Sequence, residues 1–172
     1  DLPNREKRTS RDVLSRLYRG LVHSRHGGRV LKQRHERKLA CPITEAFAAL
    51  VEVVGHGRWG GTLLVGGATP LKPGCRYEQK RGTMLRRGRV LACQRPVSIT
   101  LQEVLLDPPC CVQLRLHWRL EPVADGSCVL LDARYLLNGV AILRRRHWRE
   151  RITSHCTRML GALEQRVLAK ET

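Results

Sequence analysis

No apolar run in this sequence approaches the roughly 18 residues that a membrane-spanning helix needs, so a helical bilayer span is excluded. Acidic residues are few: 15 Asp and Glu stand against 32 Lys and Arg, for a net charge of +17. Aromatics are scarce as well, with three Trp, three Tyr and one Phe, so rings on which unpaired bases could stack are not expected and sequence-specific recognition of single strands is disfavoured. There is no Cys-x-x-Cys pair, no glycine-rich phosphate loop, no nucleophile–base pair, no metal-ligand spacing, and no internal repeat or low-complexity tract. Nothing in the pattern asks for a metal or a cofactor, and an enzyme finds no support in it.

What is present begins with the cations. Most of the 32 are arginine, the better residue for planar contact with phosphate or carboxylate. Acidic partners follow as an expectation: nucleic acid, an anionic membrane surface or an acidic protein. The alternative is an Arg-rich face that only meets water. The seven cysteines (Cys41, Cys75, Cys93, Cys110, Cys111, Cys128 and Cys156) are odd in number, and several fall at apolar positions of expected strands and helices. They read as reduced core residues of an intracellular protein of the cytoplasm, nucleus or mitochondrion. The adjacent pairs Cys110-Cys111 and His155-Cys156 diverge in direction and make poor metal ligands. The chain starts at Asp1 rather than Met, as a processed or trimmed product would.

With 172 residues, 42% hydrophobic and 27% charged, one domain with a substantial core and a tail is expected. The tail is residues 1–28, a basic amphipathic helix in which Val13, Leu14, Leu17, Tyr18 and Leu21 recur at helical spacing, opened by Ser10 and closed by Gly27-Gly28. Docking on its own domain, an anionic membrane surface and an acidic partner all fit such a helix. The domain is residues 29–169. An extended segment runs to Pro42, then a short helix capped by Thr44 presents Ile43, Phe47, Leu50, Val51 and Val54.

A β-rich stretch follows. "CRYEQKRGTMLRRGRVLACQ" reads as two strands around a turn near Arg86 to Gly88, and "VSITLQEVLLDPP" as a third strand. In "CVQLRLHWRL", Val112, Leu114, Leu116, Trp118 and Leu120 alternate with Gln113, Arg115, His117 and Arg119, the period of a half-buried strand. Asp125-Gly126 then turns the chain into a hairpin partner. Last comes a long helix over residues 140–169, whose apolar teeth are Trp148, Ile152, Cys156, Met159, Leu160, Leu163 and Val167. A sheet with one apolar face must cover it, and only this helix is long enough.

The succession "CPITEAFAALVEVVGHGRWGG", "LKPGCRYEQKRG", "RGRVLACQRPVSITLQ", "LHWRLEPVADGSCVLLDARYLL" and "RRRHWRERITSHCTRMLGALEQRV" resembles the helix-grip START/polyketide-cyclase-like (SRPBCC) superfamily over residues 29–169. Its most specific pieces are Pro42, Trp59, Pro73-Gly74 and the hairpin from Trp118 to Gly126, none of them a catalytic signature. The resemblance implies an α+β fold in which a curved antiparallel sheet of about seven strands grips the C-terminal helix. It further implies an apolar cavity between the two that holds a hydrophobic small molecule or lipid, lined by Trp59, Tyr77, Leu116, Trp118, Tyr135, Trp148, Ile152 and Met159. The alternative use of those side chains is to fill the interior.

Two polar readings complete the expectations. Glu103 shares the parity of Ile99 and Leu101, and a buried carboxylate there would have a raised pKa; a bulge at Val104 to Leu106 would instead turn it outward to water. A polyanion surface is expected from Arg115, Arg119 and Arg134 on the outer sheet face and from Arg144, Arg145, Arg146 and Arg149 at the start of the long helix. The function expected is thus non-enzymatic binding of a lipid-like ligand. A ligand-free basic module that binds nucleic acid or an acidic assembly is the alternative.

Overall fold

The computed structural model describes residues 28–55, 62–65, 71–81 and 83–170. The expected N-terminal helix and Trp59 lie outside them. The described elements are β1 (Arg29–Leu39), α1 (Ile43–Gly55), β2 (Thr62–Val65), β3 (Arg76–Arg81), β4 (Met84–Gln94), β5 (Ser98–Asp107), β6 (Cys110–Val123), β7 (Gly126–Leu137), α2 (Val140–Leu143) and α3 (Arg145–Leu168). Six strands form the body of one antiparallel sheet, and the four-residue β2 joins its edge beside β3, giving the order β1-β7-β6-β5-β4-β3-β2.

Alternation decides the inner face. Ile99, Leu101, Glu103 and Leu105 of β5, Val112 to Leu120 at every second residue of β6, and Val129, Leu131, Ala133, Tyr135 and Leu137 of β7 are all buried. Helix α3 covers them with Trp148, Ile152, Cys156, Met159, Leu160, Leu163 and Val167, the seven teeth expected from the sequence. Leu116 and Trp118 are both 0% exposed; burying a side chain of this size stabilises by about 1.5–3 kcal/mol. Helix α1 closes one end with Ala46, Phe47, Leu50 and Val54. Ion pairs from Arg166 and from Lys170 (2.8 Å) to Glu52 tie it to the end of α3.

Four local expectations are corrected. β3 ends at Arg81 and β4 begins at Met84, so Arg86 and Gly88 sit within β4 rather than in the turn, and Gly88 makes room for a ring. The bulge falls in β4 between Val90 and Ala92, whereas β5 pairs with β6 unbroken from Ser98 to Asp107, so Glu103 keeps its inward parity. Thr44 is the second residue of α1 rather than its cap, and the first turn closes on the Pro42 carbonyl, which accepts from the N–H groups of Glu45 and Ala46 at 3.0 Å. The long C-terminal helix is interrupted at Arg144 (φ −97°, ψ 28°), which separates α2 from α3.

Candidate functional site: a buried polar cluster and two arginine surfaces

One row of directly opposed residues crosses the inner face: Tyr77, Gly88, Glu103, Leu114, Tyr135 and Leu31. Tyr77 and Glu103 are two strands apart, about 9.6 Å at ordinary sheet spacing. The Tyr77 ring bridges that gap by lying across Gly88, where a Cβ would stand only 2.1 Å from its Cζ. Its hydroxyl then donates to Glu103 Oε1. A residue with any side chain at position 88 would block this reach.

Around that pair the fold gathers two more polar groups. Arg86, two residues before Gly88 on the same face, is 2% exposed and places its guanidinium carbon 5.8 Å from the centre of the Tyr77 ring. From α3, His155 enters between Ile152 and Met159. Its Nε2 lies 3.1 Å from Arg86 Nη1 and 3.6 Å from Glu103 Oε2. Oε2 of Glu103 has no hydrogen-bond donor among the described residues.

Electrostatics reverse the sequence expectation for Glu103. Full burial pushes its carboxyl up, but the positive charge of Arg86, together with His155 and the Tyr77 hydroxyl, outweighs that and carries it down to about 2. Glu103 is therefore an ionised, weakly basic acceptor, unsuited to taking a proton from a substrate near neutral pH. Tyr77 moves the other way, raised well above the usual phenol range by its own burial and then by the Glu103 charge. Burial, and next the Glu103 charge, push the Cys156 thiol up to about 12.

The seven described residues expected to line a cavity, Tyr77, Leu116, Trp118, Tyr135, Trp148, Ile152 and Met159, all belong to one buried cluster. Tyr135 is engaged at its hydroxyl by Gln33 Nε2 (3.2 Å), which also donates to the Arg149 carbonyl (3.1 Å) and so ties β1 to α3. The indole N–H groups of Trp118 and Trp148 are buried with no acceptor among the described residues. Arg86, Gly88 and His155 were not foreseen as site residues. The misplaced turn hid the first two, and His155 had been weighed only as a neighbour of Cys156.

The expected basic residues separate onto opposite sides of the sheet. Arg144, Arg145, Arg146 and Arg149 are exposed at the start of α3. Three of them, with Glu150, Thr153 and Ser154, line a cleft of about 640 Å³, and Arg146 pairs with Glu150 at 3.1 Å. On the outer sheet face, Arg115 and Arg134 stand directly opposite each other. Arg119 differs from them: it shares Asp132 (3.5 Å) with Arg34 (2.7 Å) and reaches Glu121 at 4.0 Å.

No family model matches the chain, and no curated protein matches it. Solved structures do. An uncharacterised protein from Rhizobium leguminosarum superimposes with a TM-score of 0.63 at 14% identity, over 83% of this chain and 97% of that one. The di-domain ARO/CYC protein StfQ of the steffimycin biosynthetic pathway gives 0.65 at 11% identity, over 83% of this chain and 52% of that one. Ara h 8.0201 gives 0.62 at 15% identity, over 82% and 99%. At such identities the likeness is one of fold alone: an antiparallel sheet curved around a C-terminal helix. Among the described residues no helix is long and apolar enough to cross a membrane.

Proposed function

We propose that this protein binds a hydrophobic, lipid-like molecule between the sheet and α3, with the polar end of the ligand held at the Tyr77–Glu103–Arg86–His155 cluster and its apolar body against Leu116, Trp118, Tyr135, Trp148, Ile152 and Met159. The observation that carries this is the fully buried Glu103, whose Oε2 faces His155 Nε2 at 3.6 Å and has no hydrogen-bond partner among the described residues. Packing alone does not call for it: a buried ion cluster is on balance no more stabilising than apolar residues of the same volume. The likeness to StfQ and Ara h 8.0201 supports the reading at the level of fold. A ligand hydroxyl or amine would donate to Glu103 Oε2. Ionisation of Glu103 favours binding over acid–base chemistry.

The test is native mass spectrometry and solvent extraction of freshly purified protein, followed by titration with N-phenyl-1-naphthylamine, an apolar fluorophore with one N–H donor. A co-purifying apolar molecule, and a probe affinity weakened about tenfold by Glu103→Gln (the loss of one hydrogen bond to a charged group), are expected. Protein that carries nothing and ignores the probe would set the proposal aside.

A further inference from the structure

A second row crosses the other face of the same strands. Lys32, Arg134, Arg115, Gln102, Arg89 and Arg76 stand directly opposite one another from β1 to β3, a line about 24 Å long at ordinary strand spacing. All five cations are exposed. Arg89 donates to the Gln102 side-chain Oε1 through Nε (3.0 Å) and Nη2 (2.8 Å). Among the described residues, no carboxylate lies within 4.0 Å of any of the five, although the neighbouring outer-face cations are matched: Arg34 and Arg119 by Asp132, and Arg87 by Glu78 at 2.6 Å. Like charges opposed across strands destabilise a sheet, and this row holds three such pairs: Lys32 with Arg134, Arg134 with Arg115, and Arg89 with Arg76. Beside it, Arg89, Gln102, Arg115 and Arg134 border a cleft of about 390 Å³.

We propose that this row is a docking track for the sugar–phosphate backbone of a nucleic acid, bound without sequence preference. The shape of the charge favours a linear polyanion over a planar one. Acids flank the track, with Glu36, Asp132 and Glu121 to one side and Glu78 to the other. An anionic bilayer would press its headgroups against those carboxylates, whereas a strand lies between them. Four of the five cations are arginines, whose planar fork matches phosphate oxygens. The described Trp and Tyr residues are all buried, so none of them is available on this face for base stacking or for a membrane interface, and phosphate contacts alone carry no sequence information.

The experiment uses the full chain and fluorescence anisotropy on labelled 20-base-pair RNA and DNA duplexes of two unrelated sequences, between about 50 and 200 mM salt. Five phosphate contacts give a slope of log K against log salt of about −4.5, alike for both sequences. The variant R115Q/R134Q should make that slope shallower by about two; both sites are exposed, and its thermal midpoint should match or exceed that of the parent because two opposed charges are gone. R144Q/R145Q/R146Q, on the opposite side of the sheet, should leave the slope unchanged. No binding at the lower salt, a slope that R115Q/R134Q does not alter, or binding of phosphatidylserine vesicles but of no duplex would each overturn the proposal.

Discussion

Replacing Glu103 by Gln removes one charge and almost no volume, and the expected consequence follows from its surroundings. Arg86 is 2% exposed and would keep its charge beside a neutral amide, so at neutral pH the variant should be about 3–5 kcal/mol less stable. That difference should depend on acid. The Glu103 carboxyl is held at about 2 in the folded protein against 4.5 in the unfolded chain, with the charge of Arg86 the largest contribution that opposes burial. A folded-state value below the unfolded one means that ionisation favours folding above about pH 4.5, and that this contribution disappears as pH falls towards about 2. Its full size is about 3 kcal/mol, of which about 2 kcal/mol is gone near pH 3. Urea unfolding followed by the fluorescence of the buried tryptophans, run on parent and E103Q at about pH 7, 5, 4 and 3, measures the gap directly. Other carboxylates titrate in both proteins and cancel in the difference. A gap that stays constant down to pH 3 would refute the assignment of an ionised, arginine-stabilised Glu103.

Three further outcomes are expected. Gly88→Ala should destabilise by about 1–3 kcal/mol through the collision with the Tyr77 ring, and should cost far less in a Tyr77→Ala background; urea titrations of the four proteins close the cycle, and zero coupling would count against a ring seated over the glycine. Leu116→Ala should lose about 2–5 kcal/mol and Leu116→Asp should fail to fold, as read by thermal melting; a stable Asp variant would place position 116 outside the core. Iodoacetamide at mildly alkaline pH should modify the half-buried Cys75, Cys93 and Cys111 before Cys156, whose thiol is buried and raised to about 12; early labelling of Cys156, mapped by peptide mass, would contradict its position beneath the sheet.

The parts of the fold legible in the sequence were those with one strong period. The seven apolar teeth of α3 and the alternation of Val112 to Leu120 each follow from a single element's geometry, and the Asp125-Gly126 hairpin from local turn chemistry. The polar cluster was not legible for two reasons. The turn was expected near Arg86 to Gly88, which took both residues out of the strand that carries them. Glu103 was read from burial alone, whereas its carboxyl answers to Arg86 and His155, which reach it from β4 and α3. The outer row had the same obstacle: Arg115 and Arg134 were expected on that face, but Lys32, Arg76 and Arg89 join them only through the register of five strand pairs, and Arg119 leaves the set because Asp132 sits within reach.

The two faces treat charge in opposite ways. Inside, one carboxylate is stripped of water and surrounded by Arg86, His155 and Tyr77; outside, five cations line up with no carboxylate within 4.0 Å among the described residues. They also alternate along the same strands, Leu114 inward and Arg115 outward, Arg134 outward and Tyr135 inward, so a sheet one residue thick separates them. Two uses so divided should be energetically independent. E103Q should leave the salt slope of duplex binding where it was, and R115Q/R134Q should leave the affinity for N-phenyl-1-naphthylamine within a factor of about two, the coupling of about 0.5 kcal/mol or less that sites without shared partners show. The triple variant E103Q/R115Q/R134Q measures this in both assays. If E103Q flattened the salt slope, the polar cluster would be holding the outer face in register, and the two faces would have to be read as parts of one site.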